Sequence, residues 1–255
     1  MDILVNKAGG ILTIELNRPE KKNAITSAMY QMMADAIRDA ESDATVRAIL
    51  ITGKPEVFTA GNDLEDFLKN TAAAVDDMPV VQFMRALSTA AKPVVAAVAG
   101  NAVGIGTTLL LHCDLVYAAE NAKFAMPFTQ LGLCPEFASS LLLPQMAGYH
   151  RAAEKLMLGE AFSAEEAYEM GLVSRVLPSA DLVPFAHGQA AKLAALPASS
   201  LRITKRLMKG GQGAAVAARI VEENKQFGEM LGSKEAKEAF AAFFEKRRPD
   251  FTKFS

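Results

Sequence analysis

The rhythm of apolar and polar positions changes along the chain, and each change marks a kind of element. ILTIELN (Ile11 to Asn17) alternates apolar with polar residues, the period of a strand with one face buried, and the polar NRPEKKNA that follows reads as a turn. Beyond it, Met29, Met32, Met33, Ala36 and Ile37 share one face of a helix that Thr26 or Ser27 caps and that runs to about Ala40. Then the alternation stops. AILITG (Ala48 to Gly53), VVAAVAG (Val94 to Gly100) and DLVYAAE (from Asp114) are short and nearly all apolar. Strands read this way when helices cover both of their faces, so the pattern predicts a layered α/β core. From about Arg151 the segments RAAEKLMLG, SAEEAYEMG, ADLVPFAHGQAAKLAAL and SKEAKEAFAAFFEKRR are Ala-rich and amphipathic, with helix start and stop signals. Those beyond roughly residue 195 are expected to pack outside the core or on a neighbouring subunit.

Composition narrows the partners. With 255 residues the chain is long enough for one large domain or a core with a smaller appendage. Twenty-seven basic against twenty-nine acidic residues give no support for a nucleic-acid surface or a polybasic membrane anchor, so local basic groups must meet any anionic ligand. No apolar run reaches the roughly 18 residues of a membrane span, and MDILVNKAGG lacks a signal-peptide layout, which makes the cytoplasm the default expectation. Cys113 and Cys134 lack metal-ligand spacing and read as buried structural thiols. His112, His150 and His187 have no sequence partner that suggests a metal site or a triad, so no metal is expected.

Two segments combine a buried strand, a tight turn and a helix start. In AILITGKPEVFTAGNDLEDF, Gly61 precedes Asp63-Leu64, which can open a short helix; in AAVAGNAVGIGTTLLLHCD, Gly100, Gly104 and Gly106 precede the apolar TTLLLH. The second lacks the Gly-Lys-Ser/Thr of a phosphate loop. Helix starts leave backbone N–H groups unpaired, and two of them aimed at one point form an oxyanion hole. Each turn taken alone also has a purely structural reading. A further oddity is LGLCPEFASS. From Phe124 through Tyr149, Glu136 is the one charged residue. It is either a first-turn residue of the helix FASSLLLPQM, where negative charge suits the dipole, or a group kept there for chemistry.

FTAGNDLEDF, KPVVAAVAGNAVGIGTTLLLHCDLVYAAENAKFAMPFTQLGLCPE and GLVSRVLP, in that order and spacing, resemble the crotonase (enoyl-CoA hydratase/isomerase) superfamily. ILTIELNRPEKKNAI and FFEKRRPDF fit the same family, so the likeness covers nearly the whole chain. It implies a spiral of β-β-α units over residues 1–195 and a C-terminal helical trimerisation region over 196–255, with trimers often paired into hexamers. It also implies an acyl-CoA thioester substrate and no cofactor beyond the CoA that the substrate carries. The thioester carbonyl is then held by the backbone N–H groups of Asn62 and Ile105. Hydratases of the family carry two glutamates. The matching positions here are Thr108 and, in the pair Pro127-Phe128, Phe128, so both carboxylates are missing. Glu136 instead resembles the single base of Δ3,Δ2-enoyl-CoA isomerases of the peroxisomal type. Moving a double bond from C3 to C2 needs one base and no positioned water, and an apolar setting raises a glutamate's pKa toward working pH.

The resemblance further places Lys22, Ala24, Ala60, Gly61, Asp63 and Leu64 along the CoA moiety, joined by Phe244 and Lys246 from the C-terminal helix. For Lys21-Lys22 and for Lys246 to Arg248 a solvated charge run is the plain alternative. Phe58, Leu68, Phe83 and Phe128 line the acyl channel on one reading and belong to ordinary core on the other. The same fold also serves hydratases, thioester hydrolases, other lyases and non-catalytic acyl-CoA-binding subunits.

Overall fold

The computed structural model describes residues 1–69 and 77–254, without the side chains of 67–69, so Leu68 lies outside the described side chains. Two sheets organise the core. The larger has the order β1-β2-β3-β5-β7-β10, made of Ile3–Ala8, Ile11–Leu16, Ala48–Thr52, Val94–Val98, Leu115–Ala119 and Arg175–Leu177. All its neighbours are parallel except the hairpin β1–β2. The smaller has the order β4-β6-β8-β9, from Val57–Thr59, Asn101–Val103, Lys123–Ala125 and Phe162–Ser163. Successive pairs β3-β4, β5-β6 and β7-β8 each give one strand to each sheet, so every turn of the chain adds a rung to both. This is the expected spiral.

The all-apolar strands are explained by what covers them. In β3, Ile49 and Ile51 face the main core while Ala48 and Leu50 face a second cluster; in β5, Val94, Ala96 and Val98 oppose Val95 and Ala97 in the same way. Alternate side chains of a strand point to opposite faces, so both periods end up buried. Helix α8 (Leu182–Ala195) covers the outer face through Leu182, Ala186 and Ala190. Helix α1 (Ser27–Ser42), capped by the Thr26 hydroxyl accepting from Met29 N–H, covers the inner face. It packs there with α3 (Pro79–Thr89) through Tyr30, Met33, Phe83 and Leu87. Phe58 and Phe83, which the sequence leaves open between channel lining and ordinary core, are fully buried in this core.

Helix α2 (Leu64–Lys69) and the single-turn α4 (Ile105–Thr108) start at the two glycine turns, as their sequences predict. Next along the chain come α5 (Ser139–Ala147), α6 (Tyr149–Ala153) and α7 (Ala164–Glu169). Of the C-terminal helices, α10 (Gly213–Leu231) and α11 (Lys234–Phe244) pack on the core of the same chain through Ile220, Ala236 and Phe240, whereas Lys205 is the buried residue of α9 (Ala198–Lys209). Lys205 of α9 ties that region down by donating to Asp114 at 2.6 Å and to the Lys92 carbonyl at 2.8 Å. Among the described residues no helix is long and apolar enough to cross a membrane.

Candidate active site

The two glycine turns come together. A Cβ added to Gly106 would lie 2.4 Å from Thr59 Cγ2, and one added to Gly61 would lie 2.8 Å from the Val103 carbonyl oxygen. Only residues without side chains allow the AGND loop and the GIG turn to approach this closely. Their neighbours Asn62 and Ile105 line one cleft of about 820 Å³. Ile105 is the first residue of α4, so its N–H has no intrahelical acceptor. Asn62 lies opposite Ile25 in a parallel bridge: Ile25 N–H donates to Gly61 O and Asp63 N–H to Ile25 O. That pattern turns the Asn62 N–H away from Ile25. Among the described residues neither amide is tied to a backbone acceptor.

The NRPEKKNA turn is stitched to this loop. Lys22 and Asn23 both adopt left-handed backbone, with φ of 51° and 54°. The strain is held by Asn23, whose buried amide donates to the carbonyls of Val57 and Phe58 and whose oxygen accepts from Arg18 N–H. Lys22 O accepts from Ala60 N–H, and the Thr59 hydroxyl donates to Asn23 O. Lys22, Ala24, Ala60, Gly61, Asp63 and Leu64 all line the cleft, and so does Lys21. Asp63 pairs with Arg18 at 2.7 Å. Burial pushes its pKa up, but the Arg18 hydrogen bond and backbone N–H groups outweigh that and hold it below the usual range.

On the opposite wall stand Phe227 of α10, Phe240, Phe243 and Phe244 of α11, and Arg247. Phe244 lines the cleft, and this wall comes from the same chain. Lys246 does not line the cleft. It takes a left-handed turn (φ 55°) just past the end of α11, and Arg247 reaches the wall instead, held by Glu238 and Glu245. Phe128 does line the cleft, beside Leu131 and Leu133.

Glu136 is not among the residues that line this cleft. It is 4% exposed, and the hydroxyl of Thr108 donates to its carboxylate. Thr108 follows Ile105 by three residues, just under one helical turn or roughly 4.5 Å along α4. The Thr108 bond thus ties the carboxylate to the short helix whose first residue, Ile105, lines the cleft. Burial pushes its pKa up to about 8; the Thr108 hydrogen bond opposes the rise and the nearby Glu223 adds to it. Tyr30 shares the space. Its hydroxyl donates to the side-chain oxygen of Asn62, and its own pKa is raised, by burial first and then by the Glu136 charge.

Glu136 is also not a first-turn residue. Helix α5 starts three residues later, at Ser139, because Phe137 and Ala138 both adopt left-handed backbone (φ 57° each). His112 donates from Nε2 to the Phe137 carbonyl at 2.8 Å and stacks on its ring with centroids 3.9 Å apart. Burial pulls the His112 pKa down to about 4, which keeps the ring neutral. Cys113 and Cys134 are free thiols, pushed up to about 12 and about 11 chiefly by burial, and neither is poised as a nucleophile.

Sequence reasoning did not find Tyr30, Asn23, Phe227, Phe240 or Arg247. Tyr30 belongs to the buried face of α1 and offered a signal as the one hydroxyl on it. The others depend on contacts between distant segments.

The family profile described as enoyl-CoA hydratase/isomerase matches residues 6–253. The rat protein "Enoyl-CoA delta isomerase 2" is 40% identical over 212 residues, covering 81% of this chain and 54% of that protein. The "2,3-dehydroadipyl-CoA hydratase" of Escherichia coli K12 is 32% identical over 98% of both chains. Among solved structures, the crystal structure of an enoyl-CoA hydratase/isomerase from Pseudoalteromonas atlantica T6c superposes with a TM-score of 0.94. It is 41% identical and covers 99% of this chain and 100% of that one.

Proposed function

This chain belongs to the enoyl-CoA hydratase/isomerase family, and within it we propose that the protein is a Δ3,Δ2-enoyl-CoA isomerase that converts 3-enoyl-CoA to trans-2-enoyl-CoA. One observation carries the reading. The position where the resemblance puts a hydratase's first glutamate is Thr108, and its hydroxyl is bonded to Glu136, a buried carboxylate. Phe128 stands at the position of the second. Neither hydratase position carries a carboxylate, and the carboxylate bonded to Thr108 is Glu136.

The chemistry follows from that arrangement. The thioester oxygen lies between the N–H groups of Asn62 and Ile105. The Glu136 carboxylate takes a proton from C2, and the C2–H electron pair moves into a dienolate whose negative charge rests on that oxygen. The Glu136 carboxyl then returns a proton to C4, and the double bond ends between C2 and C3. Each amide donor contributes roughly 2.7–4 kcal/mol to lowering the barrier. Glu136 is buried and does not line the cleft, so the acyl end has to open a way past the lining residues to bring C2 and C4 to it. Water is kept away from the dienolate as a result. No cofactor takes part. Lys21, Lys22 and Arg247 at the cleft face the CoA phosphates. Exposed Ile203, Leu207, Met208 and Val221 on α9 and α10 support assembly into trimers, alone or paired.

A hydratase is the second reading, favoured by the full-length likeness to the E. coli hydratase. The test is direct: the purified protein is given 3-enoyl-CoA and 2-enoyl-CoA separately, and absorbance of the conjugated thioester is followed. Isomerisation with hydration at least about a hundredfold slower supports the proposal. Rapid loss of the 2-enoyl absorbance supports the hydratase, and binding without turnover of either points to a non-catalytic subunit.

A further inference from the structure

We infer that Glu223, on α10 and outside the cleft, is a positioning residue for Glu136: its carboxylate holds in place the left-handed turn that presents the base. The inference rests on the reading of Glu136 as the base. Glu223 is 5% exposed, and both of its oxygens are engaged by the segment just after Glu136. One accepts from Ala138 N–H at 2.5 Å; the other accepts from Ser140 N–H at 3.0 Å and from the Ser140 hydroxyl at 2.5 Å. These amides open α5, where no residue of the helix's own segment supplies a cap: the N-cap is Ala138, with no side-chain acceptor. A residue 85 positions away does it instead.

The clamp is needed because of what it holds. Two consecutive non-glycine residues, Phe137 and Ala138, are left-handed, each at a cost of about 1–2 kcal/mol. Such a turn persists only when its surroundings fix it. His112 secures the Phe137 carbonyl from one side and Glu223 secures the Ala138 and Ser140 amides from the other. Relaxing either residue into the right-handed region would swing the Glu136 side chain away from Thr108. Glu223 lines none of the cleft, so its influence on substrate passes through this turn.

Among the described residues, Tyr30 from α1, Thr108 from α4, Cys134 and Glu223 from α10 act on or feel Glu136, with Arg219 beside Glu223 and neutral His112 on the neighbouring Phe137. Of these Glu223 carries the negative charge that opposes ionisation of the base. Its removal therefore has an electrostatic signature beyond the geometric one.

The experiment is Glu223→Gln in the full chain, with Ser140→Ala and Glu136→Gln alongside, read by kcat, KM, the pH dependence of kcat/KM, and thermal unfolding. A Gln amide presents –NH2 to one of the two backbone donors, so one side of the clamp opens. The expected result is a kcat lower by about a hundredfold, the cost of a misplaced catalytic group. KM should change by less than about threefold, and the rising limb of the pH profile should move to lower pH. Ser140→Ala keeps both backbone bonds and should show a smaller loss of kcat, again without a change in KM. Native kcat and an unmoved limb in both variants overturn the inference. So does a loss of activity that only tracks the loss of folded protein. If Glu223→Gln does not fold, Ser140→Ala decides by the same kcat criterion. An active Glu136→Gln removes the premise instead; an inactive one beside a native-like Glu223→Gln removes this inference alone.

Discussion

The raised pKa of Glu136 makes a prediction in which both sign and size come from the structure. Its carboxyl is moved from an ordinary 4.5 to about 8, mainly because burial withdraws water from the charged form. A shift of that size corresponds to about 5 kcal/mol of preference for the neutral acid in the folded protein. A base must be ionised to take a proton. In the free enzyme kcat/KM for 3-enoyl-CoA should therefore rise about tenfold per pH unit below about 8 and level off above it. Initial rates at low substrate, from about pH 5.5 to about 9.5, give the profile. Stability runs the other way. The unfolded chain releases this proton near 4.5 and the folded one only near 8, so stability declines as pH rises through that window. Glu136→Gln should flatten that decline. Thr108→Val removes the hydrogen bond that favours the carboxylate, so the rate limb should move higher still. A limb at the ordinary glutamate value, or a profile without one, would refute the desolvated base.

Three further outcomes are expected. Gly106→Ala places a Cβ 2.4 Å from Thr59 Cγ2, forcing the two amide-bearing turns apart; kcat/KM should fall about a hundredfold while circular dichroism stays native. Lys22→Glu puts a negative charge at the cleft, so the KM for a CoA thioester should rise about tenfold at low salt with kcat nearly unchanged. Added salt should narrow that difference. Lys205→Met leaves Asp114 partly buried with Lys209 3.5 Å away, and denaturant unfolding should show a loss of about 3 kcal/mol with catalysis intact in the folded fraction.

Much of the frame was legible in the sequence because local chemistry specifies it. The all-apolar strands Ala48–Thr52 and Val94–Val98 announce burial on both faces, and Thr26 announces the start of α1. The paired amide turns were legible too, since glycines at 61 and 106 answer to a close approach. The small sheet was not: Val57–Thr59, Asn101–Val103 and Lys123–Ala125 have three residues each, too few to display a period. At the site, the identity of Glu136 stood out by its isolation, but its support did not. Its partners Thr108, Tyr30, His112 and Glu223 lie between 24 and 106 positions away and meet only in the fold. The phenylalanines show the same limit, since nothing local distinguishes Phe128 in the cleft from Phe58 and Phe83 in the core. Lys246 and Arg247 are adjacent cations, and the left-handed turn at 246 decides which one reaches the wall.

The most direct test replaces Glu136 with its uncharged isostere and follows the conversion of 3-enoyl-CoA to 2-enoyl-CoA by absorbance, with thioester binding measured by calorimetry. Removing a general base costs between about a hundredfold and about ten-thousandfold. The Glu136→Gln protein should lose turnover by that margin while folding and binding its thioester like the native chain. Turnover close to the native rate in that variant would contradict the assignment of the base.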